Sequence, residues 1–454
     1  MDTGGFALRP TPEEAYAQQV PYVREDDEGR RYPVFGHVFP LMTLPFYAAG
    51  RWLAPAAGFE VRELSLFTFS FTNTLISALG VWLWCLVAAR IGAGRRTVGR
   101  FAVWMVFATP ILFYAVSQWR EPGILMLLGG ATLAFLDFTD EPERRTRALA
   151  FGAWLGLLWL FKEGNAILVA CLYVGALLRV WTRSRRLPVG PGFWLGLPIA
   201  VGLILHGVVM GVRFGMPFST FYEPGLQITE GDPWARLGRI LWSPEVGGLA
   251  IYAAPVVLGV LVFGAVRRRR PYLAASLVVA SLLFLWLHAT IRNGEGGKDV
   301  WGPRHLIPLF PLFLLALALW WQGAGRWPRV VAAGVLVVSS AVQLLPIVQP
   351  YNLYPDMKKA APSAVAKAMP TRLVGSAIVA GHVVAGRGPK FEGGPFGVDP
   401  DQTWDHSGDR VVAGGVNIWW LRGDVPRVAP LAGGMLLLLA VLAWWFVLRR
   451  VRTS

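Results

Sequence analysis

An arginine and a histidine stand directly against an apolar run in WGPRHLIPLFPLFLL, residues 301–315. A charged group in that position is costly unless water, a lipid headgroup or a substrate anion receives it. A guanidinium grips phosphate through parallel hydrogen bonds and holds its charge at any physiological pH, which makes Arg304 a candidate phosphate contact with His305 beside it. For a lipid-linked phosphate leaving group, such a clamp matters most as negative charge develops. The plainer role for Arg304 is snorkelling to headgroups. A complementary base is offered by Glu13 and Glu14 in TPEEAYAQQ, or by the run Glu25, Asp26, Asp27 and Glu28. A carboxylate takes a proton from an acceptor hydroxyl when it lies within hydrogen-bond reach, although acidic residues also simply solvate a tail. Two short polar turns add Arg120 with Glu121 and Lys162 with Glu163. Glu121 falls in the first turn of the helix that follows, where exposed N–H groups and the dipole favour a carboxylate. Either pair also suits a plain helix stop or a local ion pair of little energetic value.

The elements that must position these residues are membrane spans. Of 454 residues, 54% are hydrophobic and 16% charged, with 21 Trp, a composition foreign to soluble globules. At about 20 residues per crossing, eleven spans are expected, near 65–88, 100–118, 121–138, 147–161, 163–181, 193–213, 246–266, 271–290, 303–322, 327–347 and 429–449. The net charge of +15 lies in short arginine clusters between apolar runs, as with Arg95, Arg96 and Arg100 or Arg267 to Arg270, and so argues against nucleic acid. These clusters follow alternate spans and place one side in the cytoplasm, leaving the candidate residues on the outer side. Cys85 and Cys171 lie inside spans, which supports neither a disulfide nor a metal site. The six histidines form no metal-ligand spacing, and any Mg2+ or Mn2+ would have to be recruited by acidic loop residues.

The N-terminus fits this topology poorly. An outer N-terminus needs roughly 60 residues to cross without a signal peptide, so either the tail translocates or a helix is missing upstream of Met1. The stretch 34–56 holds His37, Pro40, Pro45 and Arg51, and reads as a broken amphipathic helix at the outer surface. The expected organisation is an outer segment with this interfacial helix over 1–64, a transmembrane core over 65–348, a small outer domain over 349–428 and a final span with a cytoplasmic tail over 429–454. Within 349–428, the apolar pieces LVGSAIVAG and VVAGGVNIWWL suit strands, giving a small α/β segment.

Four pieces together resemble a known family: RRYPVFGHVFPLMTLPFYAAG at 30–50, SQWREPGILMLL from Ser117, FGMPFSTFY at 214–222 and WGPRHLIPLFPLFLL at 301–315. In order, they are similar to the multi-spanning GT-C glycosyltransferases that use polyprenyl-phosphate-linked sugars. The resemblance is strongest to the bacterial group of protein mannosyltransferases, aminoarabinose transferases and rhizobial core-sugar transferases. It implies a GT-C-like all-α polytopic fold in the inner (plasma) membrane and sugar transfer on the extracytoplasmic face to a glycan, lipid or protein acceptor. It further implies an acidic base in the first outer segment, matched by Glu13 and Glu14 followed by Tyr16, and a second acidic residue at Glu121. Arg304 would contact the lipid phosphate, and His305, Lys162, Arg120 and Tyr32 would line the substrate site. Two departures stand out: the family's first helix is absent, and glutamate stands at its usual aspartate. The competing classes are a transporter, disfavoured by the scarcity of ionisable groups within the spans, and a noncatalytic lipid-binding protein.

Overall fold

A backbone surrounded by lipid must satisfy its own N–H and C=O groups, and a helix does so within one segment. The computed structural model, which describes residues 23–25, 31–33, 38–115, 119–214, 232–244, 247–291, 301–346, 373–374 and 376–377, is accordingly built almost wholly of helices. Strands β1 (Val23–Glu25) and β2 (Arg31–Pro33) form one short antiparallel pair, with Arg24 opposite Tyr32. The first helices are α1 (Val38–Ala57), α2 (Val61–Arg90), α3 (Arg95–Phe107), α4 (Ile111–Ala115) and α5 (Glu121–Asp140). Next come α6 (Arg145–Phe161), α7 (Ala166–Ser184), α8 (Val189–Phe214) and α9 (Pro233–Trp242). The short α10 (Leu249–Tyr252), α11 (Ala254–Leu261) and α12 (Gly264–Arg267) precede α13 (Pro271–Thr290), α14 (Phe310–Gly323) and α15 (Arg326–Leu344).

Among the described residues, seven helical segments are long and apolar enough to cross a membrane: Phe71–Arg90, Glu121–Asp140, Glu163–Ser184, Val189–Val212, Pro271–Thr290, Arg304–Gly323 and Arg326–Leu344. Each matches an expected span, and together they make this an all-α membrane protein. Three other expected spans are helical but shorter or broken. The run 100–118 ends as α3 at Phe107, where Thr109 turns its hydroxyl onto the Met105 carbonyl and Pro110 supplies no N–H. The run 246–266 divides into α10, α11 and α12, with the first break at Ala253, whose φ of −149° is not helical, ahead of Pro255. The run 147–161 is α6, of 17 residues, stopped by the extended Lys162. The span at 429–449 lies outside the described residues. In the expected C-terminal α/β segment, residues 373–374 and 376–377 of LVGSAIVAG are helical rather than extended.

The chain divides into two compact units, and α2, α5 and α13 each contribute residues to both. In the unit formed by 1–72, 130–229 and 275–283, α6 packs closely on α8. Gly152 faces the Leu195 carbonyl, and a side chain at Gly156 would meet the Pro198 carbonyl at 2.9 Å, so small residues let the two backbones approach. Phe151 closes the same layer, edge-on to Phe135 at 5.8 Å. In this unit α1 carries Pro45 and Pro55, with Leu41 and Trp52 exposed and Thr43 and Ala54 buried. The two faces expected of this stretch are present, but the break is not: α1 runs as one continuous helix through both prolines.

The second unit comprises 73–129, 230–274 and 284–454. Here α14 is the central element, buried along nearly its whole length against α11 and α3. Trp104 of α3 meets Trp321 of α14 at 5.2 Å, and the fully buried Trp84 donates to the Leu125 carbonyl at 3.2 Å. This unit carries the Arg304 segment.

Candidate functional site

The segment before α14 reaches its position through a rigid frame. Trp301 is fully buried, with its indole N–H donating to Gln343 Oε1 at 3.1 Å and its carbonyl accepting from the Tyr114 hydroxyl at 3.0 Å. Tyr252 meets the indole edge-on at 5.0 Å, and Gln343 Nε2 donates to the Tyr252 carbonyl. The chain then turns at Gly302 with φ +71°, where a Cβ would meet Pro110 Cγ at 2.9 Å. Only glycine fits without strain. Gly302→Ala is expected to cost about 1–2 kcal/mol from the left-handed backbone alone, measurable as a lowered melting temperature in detergent. After Pro303 the residues Arg304–Leu309 form a 3-10 helix, because Pro308 and Pro311 withhold N–H groups that a regular α-helix would need there.

The opposing wall is the turn into α5. Asn73 donates through Nδ2 to the Trp119 carbonyl at 2.6 Å, and Thr74 donates to the Ala115 carbonyl at 3.0 Å. These bonds from α2 hold the turn that presents Trp119, Arg120 and Glu121. The guanidinium carbon of Arg304 lies 4.5 Å from the centre of the Trp119 ring, a cation–π contact. A cation–π contact draws on the charge of the guanidinium and does not consume its N–H donors.

One acceptor for those donors is His305. Arg304 Nε lies 3.3 Å from His305 Nε2, and His305 Nδ1 lies 3.9 Å from Glu121 Oε1. A guanidinium only donates, so Nε2 of a neutral His305 ring accepts and Nδ1 carries the proton, 3.9 Å from Glu121 Oε1 and beyond hydrogen-bond length. The His305 ring also stacks on His288 at 4.5 Å between centres, with the planes inclined by 32°. His288 Nδ1 in turn lies 2.7 Å from the Phe284 carbonyl, which fixes that ring. Glu121 is 5% exposed, and its Oε2 is buried without a hydrogen-bond partner among the described residues. An unsatisfied buried acceptor is costly, and here it sits within a cluster of donors.

The structure therefore brings together Glu121, Arg304 and His305, with Arg120 half-buried in the same turn. Lys162 and Glu163 lie in the other unit, where Lys162 is the extended residue between α6 and the 3-10 turn Glu163–Asn165. There Glu163 Oε1 lies 3.4 Å from His206 Nε2, and Asn165 donates to the Leu158 carbonyl at 2.9 Å. Tyr32 is placed in β2, while Glu13 and Glu14 lie outside the described residues. Trp119, His288 and Asn73 are the residues that sequence reasoning missed. Trp119 adjoins the Arg120–Glu121 pair, so an aromatic beside a charged turn was the available signal. His288 and Asn73 look like ordinary residues of apolar spans, and only the fold joins them to the site. Among the described residues, no three His, Cys, Asp or Glu side chains converge as ligands for an ion such as Mg2+ or Mn2+. No protein-family model, curated protein or solved structure matches this chain.

Proposed function

We propose that the chain is a membrane glycosyltransferase of GT-C-like architecture that moves a sugar from a polyprenyl-phosphate carrier to an extracytoplasmic acceptor. The observation that carries the reading is Arg304, in cation–π contact with Trp119 and bonded to His305 beside the buried Glu121 carboxylate, at the start of an apolar span. A lipid phosphate lies at the ends of membrane spans, and a guanidinium whose N–H groups bond only His305 among the described residues suits it.

In this reading the spans number eleven, α1 lies at the outer interface and the arginine clusters face the cytoplasm of a plasma-membrane protein. The acceptor hydroxyl oxygen attacks the anomeric carbon opposite the phosphate. The carbon–oxygen bond to phosphate breaks with its electron pair passing to the lipid phosphate, and the hydroxyl proton passes to Glu13 or Glu14. Arg304 receives the departing phosphate, where a preorganised donor has its largest effect. Glu121 and His305 act as positioning residues that hold Arg304 in place.

The test is a transfer assay with the chain in liposomes and polyprenyl-phosphate sugars as donors. The double variant Glu13→Gln, Glu14→Gln is expected to abolish most transfer with KM for the donor little changed. Glu121→Gln keeps the shape but replaces the unpaired oxygen by a donor. Transfer should fall about 10-fold or more while thermal stability holds or rises, because a desolvated charge has been removed. Absence of transfer from every polyprenyl-phosphate sugar, or full activity in both variants, would return the question to a noncatalytic lipid-binding role.

A further inference from the structure

We propose that the groove between α7 and α8 is a binding site for one anionic phospholipid, with an acyl chain along the groove and the headgroup at the turn that joins the two helices. The groove has a volume of about 580 Å³ and lies widely open along its length, and its lining includes Tyr173, Leu177, Leu187, Phe193, Gly192 and Gly196. Gly192 and Gly196 are four apart on one helix face, so their missing side chains open the channel. Leu187 and Phe193 are 76% and 61% exposed, which presents an apolar wall to lipid.

Charge at one mouth selects the headgroup. α7 ends where Arg185 takes a left-handed conformation, and the next residues, Leu187 to Val189, already line the groove. The arginines nearby are not equivalent. Arg144 and Arg147 are paired with Glu141 at 2.5 and 2.8 Å, Arg145 lies over the Trp194 ring, and Arg183 donates to the Asp140 carbonyl. Arg185 and Arg186 are exposed, and their side chains make no hydrogen bond or ion pair among the described residues. Two uncommitted guanidinium groups beside an apolar channel between spans fit a phosphate ester carrying acyl chains. Neither the transfer reaction nor the orientation of the chain enters this argument.

The full chain, purified in detergent and re-equilibrated with phosphatidylglycerol or phosphatidylcholine, is examined by native mass spectrometry for retained lipid. Phosphatidylglycerol should be retained over phosphatidylcholine. The double variant Arg185→Ala, Arg186→Ala should weaken its retention by about 30-fold, as two basic residues near a phosphate contribute. Gly196→Leu should reduce retention with every arginine intact, because the new side chain fills a lining position without a clash, its Cβ in ordinary contact 3.6 Å from the Tyr173 hydroxyl. Gly192→Leu repeats the filling at a second lining position, and melting curves identify any variant that fails to fold. Equal retention of the two phospholipids, no change in the arginine variant, or no change in both folded glycine variants would overturn the site. Retention of added polyprenyl phosphate in place of phosphatidylglycerol would overturn the choice of ligand.

Discussion

Arg304→Ala should lower transfer from a polyprenyl-phosphate sugar by about 100- to 1,000-fold, the range seen when one preorganised donor to a developing negative charge is removed. The loss should fall mainly on kcat, because the guanidinium meets more charge as the phosphate departs than in the bound donor. Arg304→Lys separates charge from geometry. A lysine keeps the positive charge but lacks the planar fork of the guanidinium, and it cannot reproduce the Nε contact to His305. Its activity should lie between that of the wild type and that of the alanine variant. Wild-type rates in Arg304→Ala would sink the phosphate role and leave a snorkelling arginine. Steady-state kinetics in liposomes with varied donor would read all three proteins.

The second large effect belongs to a residue with no chemical part in transfer. Trp301→Ala should cost about 3–5 kcal/mol of stability, since it removes a fully buried indole from a packed frame. It also strands Gln343 Oε1, which the indole N–H satisfies at 3.1 Å. Trp301→Phe isolates that second loss, keeping a ring against Tyr252 while leaving the acceptor bare, at about 1–3 kcal/mol. Thermal unfolding in detergent would order the proteins as wild type, phenylalanine variant and alanine variant. A phenylalanine variant as stable as the wild type would mean that the indole hydrogen bond contributes nothing. Below their melting temperatures both variants should transfer sugar more slowly, because Trp301 sets where Arg304 begins its 3-10 turn.

How much of this was legible in the sequence differs from element to element. Apolar length located seven spans, because about 20 residues of Leu, Val and Ala have little choice but to form a helix in lipid. The same measure overran at 100–118 and 246–266, where hydropathy counts apolar atoms and is blind to backbone breaks such as those at Pro110 and Ala253. The arginine at the mouth of α14 and the carboxylate at the start of α5 stood out individually, since each is a charge in a place that resists charge. Their meeting through His305 did not. Glu121 and His305 are far apart along the chain, and only packing within one unit sets them 3.9 Å apart. Trp119 and His288 carry no sequence signal of comparable strength, for an aromatic beside a span and a histidine near its end are both common in membrane proteins.

Gln343 reaches beyond the frame around Trp301. Within its apolar window only 22% of α15 is buried among the described residues, and so thin a contact discriminates weakly between one valine and another turned toward the protein. Gln343 is 1% exposed, and its amide is engaged at both ends, by the indole of Trp301 and the carbonyl of Tyr252. Turning α15 by a single residue, about 100° about its axis, would strip both partners at once. Gln343 thus adds a polar lock to the face that Ala332, Leu336 and Ser339 already bury, and Gln343→Leu would leave α15 held in rotation by packing alone.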